Sequence, residues 1–137
     1  MEALALAATD ELTGAWARQF GLAQVSRELE RAHRTGSKLV VVFVDVDGLK
    51  QVNDSDGHLA GDALLRLLGH TVRANLRAYD VLVRYGGDEL LCAMPNAIHT
   101  EAKERFDKIT AAMASATAGH SITFGLAEAE STDSLKS

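Results

Sequence analysis

The chain has 137 residues, 47% hydrophobic and 24% charged, which suits one globular domain over residues 1–137, large enough to need no disulfide or structural metal for its core. With 14 Lys and Arg against 19 Asp and Glu the net charge is −5 and aromatics are 5%, the wrong balance for holding a nucleic-acid polymer by its phosphates or by base stacking. The single cysteine, Cys92, excludes an intramolecular disulfide and a Cys-rich zinc module, and points to a reducing, cytoplasmic compartment.

Along the chain, the Ala/Leu-rich start lacks the basic flank of a signal peptide. From Trp16 to about His33, Phe20, Leu22, Val25, Leu29 and Ala32 recur at helical spacing, and Gly36 is placed to end that amphipathic helix. Leu39 to Val44 is β-branched and apolar throughout and far shorter than the roughly 20 residues of a membrane span. It reads as a central strand buried on both faces that stops at Asp45. Residues 45–61 read as a polar, turn-rich connection, after which Ala63, Leu64, Leu67, Leu68, Val72 and Leu76 mark a second helix. Val81 to Tyr85 and Leu90 to Met94 flank Gly86-Gly87, a hairpin signal because both glycines can take positive φ. A third helix runs from about Thr100, a candidate N-cap, through Phe106 and Ile109 to Met113, and Ser121 to Ala127 is a last strand. This order predicts an α+β, ferredoxin-like βαββαβ arrangement with a central antiparallel sheet.

The chemistry concentrates at two places. Asp45 and Asp47 stand at the exit of the most apolar strand, and Asp88 and Glu89 follow Gly86-Gly87. Each pair taken alone is an ordinary solvated turn. Together, four carboxylates near one sheet edge would repel one another unless a hard cation took oxygen ligands from them, and an acidic chain needs such a cation to hold a polyanion. Asp45 with Asp88 or Glu89 is the preferred ligand set. Asn53-Asp54-Ser55-Asp56-Gly57 does not fit the twelve-residue calcium loop, and there is no Walker loop, dinucleotide fingerprint, zinc-protease motif or nucleophile elbow.

Four motifs resemble those of the GGDEF family, the diguanylate cyclases, in the same order: Asp10-Glu11-Leu12-Thr13-Gly14 with Arg18, the segment Asp45 to Asp54, Gly57-His58-Leu59-Ala60-Gly61-Asp62, and Arg84 to Leu90. The resemblance implies the βαββαβ palm and the condensation of two GTP molecules into cyclic di-GMP by a two-fold dimer. It implies a Mg²⁺ or Mn²⁺ ion held by Asp45, the Val46 carbonyl and Asp88. It further implies proton removal from the ribose 3′-hydroxyl by Asp88 or Glu89, charge stabilisation by Lys50, and a nucleotide pocket in which Asn53 and Asp62 read guanine beside His58. Arg77 and Asp80 match the family's product-binding RxxD, whose plain alternative is an i,i+3 surface ion pair.

Leu49 and Leu90 replace phenylalanines of the family motifs, and Ala17 stands where asparagine is common; all three are expected to be packing or framing changes. The family continues into a helix with an AKxxGRN-like motif that contacts the phosphates. Ser137 comes before it, so a weaker phosphate grip and low turnover are expected. No sensor or dimerisation domain is expected before Asp10, where relatives carry one that raises the effective concentration of the paired halves, so a steep dependence on protein concentration is expected. The alternative function is a weakly active or inactive module that binds GTP or cyclic di-GMP and signals by association.

Overall fold

The computed structural model describes residues 8–129. Eight elements follow one another: α1 (Arg18–Thr35), β1 (Leu39–Val46), α2 (Leu49–Asp56), α3 (His58–Ala74), β2 (Val81–Arg84), β3 (Glu89–Pro95), α4 (His99–Ala116) and β4 (Ile122–Glu128). The four strands form one antiparallel sheet in the order β2-β3-β1-β4, the expected ferredoxin-like topology.

The pleat divides the core in two. Val40, Val42, Val44 and Val46 of β1 point with Leu90, Cys92 and Met94 of β3 into the cluster that Leu65, Leu68 and Val72 of α3 and Phe106, Ile109 and Met113 of α4 complete. Leu39, Leu91, Ala93, Val81 and Val83 face the other way, onto Val25, Leu29 and Ala32 of α1. Helices therefore flank both faces. Gly36, with φ of 65°, ends α1 in the left-handed cap its position predicts, and its N–H donates to the Ala32 carbonyl. Burial pushes the Cys92 thiol up, so it stays protonated and inert.

Several sequence expectations change. Strand β1 is central, but it is not buried on both faces: Phe43 is 44% exposed. A single helix is about 10 Å wide and strands repeat about every 4.8 Å, so α1 covers β2 and β3 and leaves the outer half of its face open. The strand also continues past Asp45, because Asp45 pairs with Glu89 and Thr123, and Val46 with Ile122; ladder bonds are indifferent to side-chain polarity. The connection after β1 contains α2, built from the poor helix formers Asn53, Asp54, Ser55 and Asp56 and anchored by buried Leu49 and by packing on α3. Helix α3 accordingly starts at His58. The N-cap of α4 is Ile98, not Thr100, and the Glu101 carboxylate accepts its N–H at 3.2 Å. Among the described residues no helix is long and apolar enough to cross a membrane.

Candidate active site

The acids meet where β1 ends. Asp45 lies opposite Glu89 in the β1–β3 ladder and opposite Thr123 in the β1–β4 ladder. A cavity of about 280 Å³ opens there, lined by Phe43, Val44, Asp45, Glu89, Thr123 and Gly125. Burial, then the negative charges of Asp47 and Asp88, hold the Asp45 carboxyl above its ordinary value. Asp47 belongs to a different arrangement. Its carboxylate accepts the Ser121 hydroxyl at 2.6 Å and the Thr123 hydroxyl, which lowers its pKa, and its N–H donates to the Ser121 carbonyl at 3.0 Å. Asp47 thus ties β1 to β4 through these hydroxyls while its charge still acts on Asp45. Among the described residues no three His, Cys, Asp or Glu side chains converge into a ready-made metal cage.

The β2–β3 connection is four residues long, 85–88, and closes through the Glu89 carbonyl, which accepts the Tyr85 N–H at 2.9 Å and the Gly86 N–H at 3.2 Å. Neither Gly86 nor Gly87 takes positive φ, contrary to expectation, since four-residue loops need no left-handed pair. Nor does crowding require glycine at these positions: a Cβ on Gly87 would meet nothing within 4 Å, and one on Gly86 would touch only Glu89 at 3.7 Å or more. Asp88 and Glu89 stand exposed on this open turn.

Arg84 braces it. Its Nη2 donates to the Gly87 carbonyl at 2.6 Å and its Nη1 to Asp10 Oδ1 at 3.0 Å. The other oxygen of Asp10 accepts the Thr13 N–H at 2.9 Å and hydroxyl at 2.7 Å. Burial opposes ionisation of Asp10, but the Thr13 and Arg84 hydrogen bonds outweigh it and its pKa is lowered. Trp16 continues the connection: its N–H donates to the Leu82 carbonyl and its carbonyl accepts the Arg84 N–H, both at 2.9 Å. Arg18 lies 4.8 Å from the Tyr85 ring centre, and Tyr85 meets Phe43 edge-on. No role for Asp10, Arg84, Ser121 or Thr123 was legible in the sequence, because partners 74 to 76 residues apart leave no spacing signal.

Arg84→Ala is expected to lower stability by about 1 kcal/mol at pH 7, as befits a partly exposed pair. Because ionised Asp10 is the favoured form in the folded chain, its contribution is present above the ordinary carboxylate range and lost as pH falls through its lowered value. Thermal melts of both chains at pH 7 and in acid, with the gap narrowing in acid, check this.

The third group of residues sits on α2 and α3. Lys50 is exposed in the first turn of α2, behind Gly48, whose φ is 70°. Asn53 is half-buried, and its side-chain oxygen is buried with no hydrogen-bond partner. His58 is exposed at the start of α3 and Asp62 is half-buried one turn on.

A family model described as "Diguanylate cyclase, GGDEF domain" matches residues 7–134. The chain belongs to the GGDEF family. Diguanylate cyclase DgcP of Pseudomonas aeruginosa is 34% identical over 108 residues, 79% of this chain and 16% of DgcP. Diguanylate cyclase DosC of Escherichia coli is 37% identical over 100 residues, 73% of this chain and 22% of DosC. The chain therefore spans about a fifth of the length of these relatives. Among solved structures, a microbial GGDEF domain bound to cyclic di-GMP is 30% identical with a TM-score of 0.82, covering 93% of this chain and 82% of that one.

The departures from the GGDEF motifs are packing changes where expected: Leu49 and Leu90 are buried in the larger core cluster. Ala17 is the N-cap of α1 and gives it no side-chain cap, forgoing about 1 kcal/mol that an asparagine would supply. The RxxD pair is more than a surface contact. Asp80 has a fully buried side chain and accepts Arg77 through Nη2 at 2.8 Å, Nε at 3.2 Å and the backbone N–H at 2.8 Å. Arg77 Nη2 also donates to the Pro95 carbonyl at 2.9 Å, and its guanidinium lies 4.6 Å from the Tyr79 ring centre.

Proposed function

We propose that the chain is a diguanylate cyclase domain that condenses two GTP molecules into cyclic di-GMP within a transient two-fold homodimer. In each half-reaction the ribose 3′-oxygen of one GTP bonds to the α-phosphorus of the other, the bond to pyrophosphate breaks, and the hydroxyl proton leaves. The observation that carries this reading is the carboxylate set itself: Asp45 opposite Glu89, with Asp88 near enough to raise the Asp45 pKa. The fold holds negative charges together against their repulsion at the mouth of a cavity, an arrangement that costs stability without a cation and suits one with it.

Mg²⁺ or Mn²⁺ fits a donor set made only of hard oxygens, from Asp45, the Val46 carbonyl and Asp88, because such ions ordinarily take one or two carboxylates and fill the rest with water and phosphate. When bound, the cation neutralises phosphate charge and makes the 3′-hydroxyl easier to deprotonate. Asp88 or Glu89 accepts that proton, Lys50 offsets charge developing on the phosphates, and Gly86-Gly87 leaves the turn bare for close approach of the nucleotide. Asn53 and Asp62 read the guanine edge, with His58 beside them. Cyclic di-GMP binding at Arg77 and Asp80 requires the pair to exchange some of its internal hydrogen bonds for bonds to the ligand.

The test is incubation with GTP and Mg²⁺ across rising protein concentration, followed by chromatography. Cyclic di-GMP that rises more steeply than protein and is absent with Asp88→Ala is the expected result. No product at any concentration, with GTP still bound, would identify a binding module instead.

A further inference from the structure

We infer that Gly61 fixes the orientation in which the Asn53 amide meets the nucleotide base, and so acts as a positioning residue for guanine selection. The inference rests on the reading of Asn53 and Asp62 as base contacts and deepens it.

Asn53 lies in the second turn of α2, and its backbone carbonyl accepts the Gly57 N–H at 2.9 Å where the chain turns into α3. Gly57 takes φ of 89°, and the first turn of α3 comes back against α2 at Gly61, which is buried. A Cβ on Gly61 would lie 1.7 Å from Asn53 Oδ1, 2.7 Å from Cγ and 3.1 Å from Nδ2. No side chain can share that space with the amide. Gly61 takes no left-handed φ, so backbone conformation does not demand glycine here. The demand is the amide itself.

Stability alone does not account for the arrangement. Asn53 Oδ1 is buried without a hydrogen-bond donor, facing a glycine Cα whose C–H is a weak partner. A small apolar residue at position 53 would leave no such orphan. What the contact does achieve is orientation. The bare oxygen is the smaller end of the amide, and the reverse orientation would press the NH₂ hydrogens onto the Gly61 backbone. With its oxygen held in the helix seam, the amide keeps its NH₂ as the end farther from the Gly61 Cβ position, at 3.1 Å against 1.7 Å, and position 53 offers a donor. Asp62, next along the chain from Gly61, offers acceptors. Guanine presents N–H donors beside O6 and N3 acceptors, whereas the adenine edge carries a different pattern. A donor and an acceptor in fixed order discriminate between the two; an amide free to turn over would offer either group and discriminate less.

The test is a double-mutant cycle of Gly61→Ala and Asn53→Ala. Kd values for GTP and ATP would be measured by competition against a fluorescent GTP analogue in Mg²⁺, alongside thermal melts. In Gly61→Ala, GTP affinity is expected to fall about tenfold or more with ATP affinity unchanged, so that selectivity approaches that of Asn53→Ala. Adding Gly61→Ala to Asn53→Ala is expected to change neither ratio nor affinity, because the clash is gone. Equal losses for GTP and ATP in Gly61→Ala, or the same further loss in the Asn53→Ala background, would make Gly61 a packing residue only and overturn the inference. Should Gly61→Ala fail to fold, folding of the double variant with the selectivity of Asn53→Ala supports the inference, and a double variant that also fails overturns it. A wild-type chain with no preference for GTP would refute the base-contact reading itself, and this inference with it, before any variant is compared.

Discussion

Asp45→Asn is expected to abolish cyclase activity while making the cation-free chain slightly more stable. The activity loss should be about a hundred- to a thousand-fold in kcat, corresponding to the several kcal/mol that a bound cation contributes to charge stabilisation. The stability gain, about 0.5 kcal/mol or less for a partly exposed group, follows from the raised Asp45 pKa. A carboxyl whose pKa is higher in the folded chain binds its proton more tightly there, so its contribution is favourable in acid and is lost as pH rises through the raised value. At pH 7 the wild-type chain therefore carries an unrelieved repulsion among Asp45, Asp47 and Asp88. Mg²⁺ or Mn²⁺ is expected to relieve it: at about ten times its Kd the cation should add about 1.4 kcal/mol, readable as a rise in Tm. That rise should shrink as pH falls toward the range where Asp45 is protonated, and vanish in Asp45→Asn at every pH. A variant that keeps the full cation-dependent shift would remove Asp45 from the ligand set.

The largest stability effect outside the main core is expected at Gly69, where α3 passes the N-terminal turn. A Cβ there would stand 2.4 Å from the Thr13 carbonyl oxygen and 2.8 Å from its Cβ. Thr13 is buried, its carbonyl accepts Arg73 Nε at 3.2 Å, and its side chain is held by Asp10, so neither neighbour can move by a change of rotamer alone. Alanine is favoured over glycine inside a helix by about 1 kcal/mol. The clash with backbone outweighs that gain, since overpacking at a rigid contact costs about 1–3 kcal/mol or more. Gly69→Ala should therefore lower Tm by several degrees and loosen the turn from which Asp10 reaches Arg84. Gly125→Ala is the matching control: it lies in β4 with nothing within 4 Å of a Cβ and should leave Tm unchanged or raise it. Equal effects of the two substitutions in thermal melts would show that the contact at Gly69 is not the cause.

Much of this chain was legible because its periodicities are strong where burial is strong. The helix over Val25, Leu29 and Ala32, the apolar strand over Val40, Val42 and Val44, and the Phe106, Ile109 and Met113 stripe each bury the face their spacing predicts. Helix α2 was not legible, since Asn53, Asp54, Ser55 and Asp56 favour turns in isolation and become helical through Leu49 and the contact with α3.

The candidate site divides along the same line. Its acids, Lys50, Asn53 and Asp62 lie in motifs that can be read in order, so which residue types the candidate site holds was determined by the sequence. Which acids face one another was a matter of register: the β1–β3 ladder sets Asp45 against Glu89, while Ser121 and Thr123, more than 70 residues away, draw Asp47 to β4. The Asp10–Arg84–Gly87 brace and the seating of the Asn53 amide on Gly61 are likewise products of the folded chain. Periodicity records which face of an element is buried, and it carries no information about which distant backbone or hydroxyl will lie against that face once the sheet has closed.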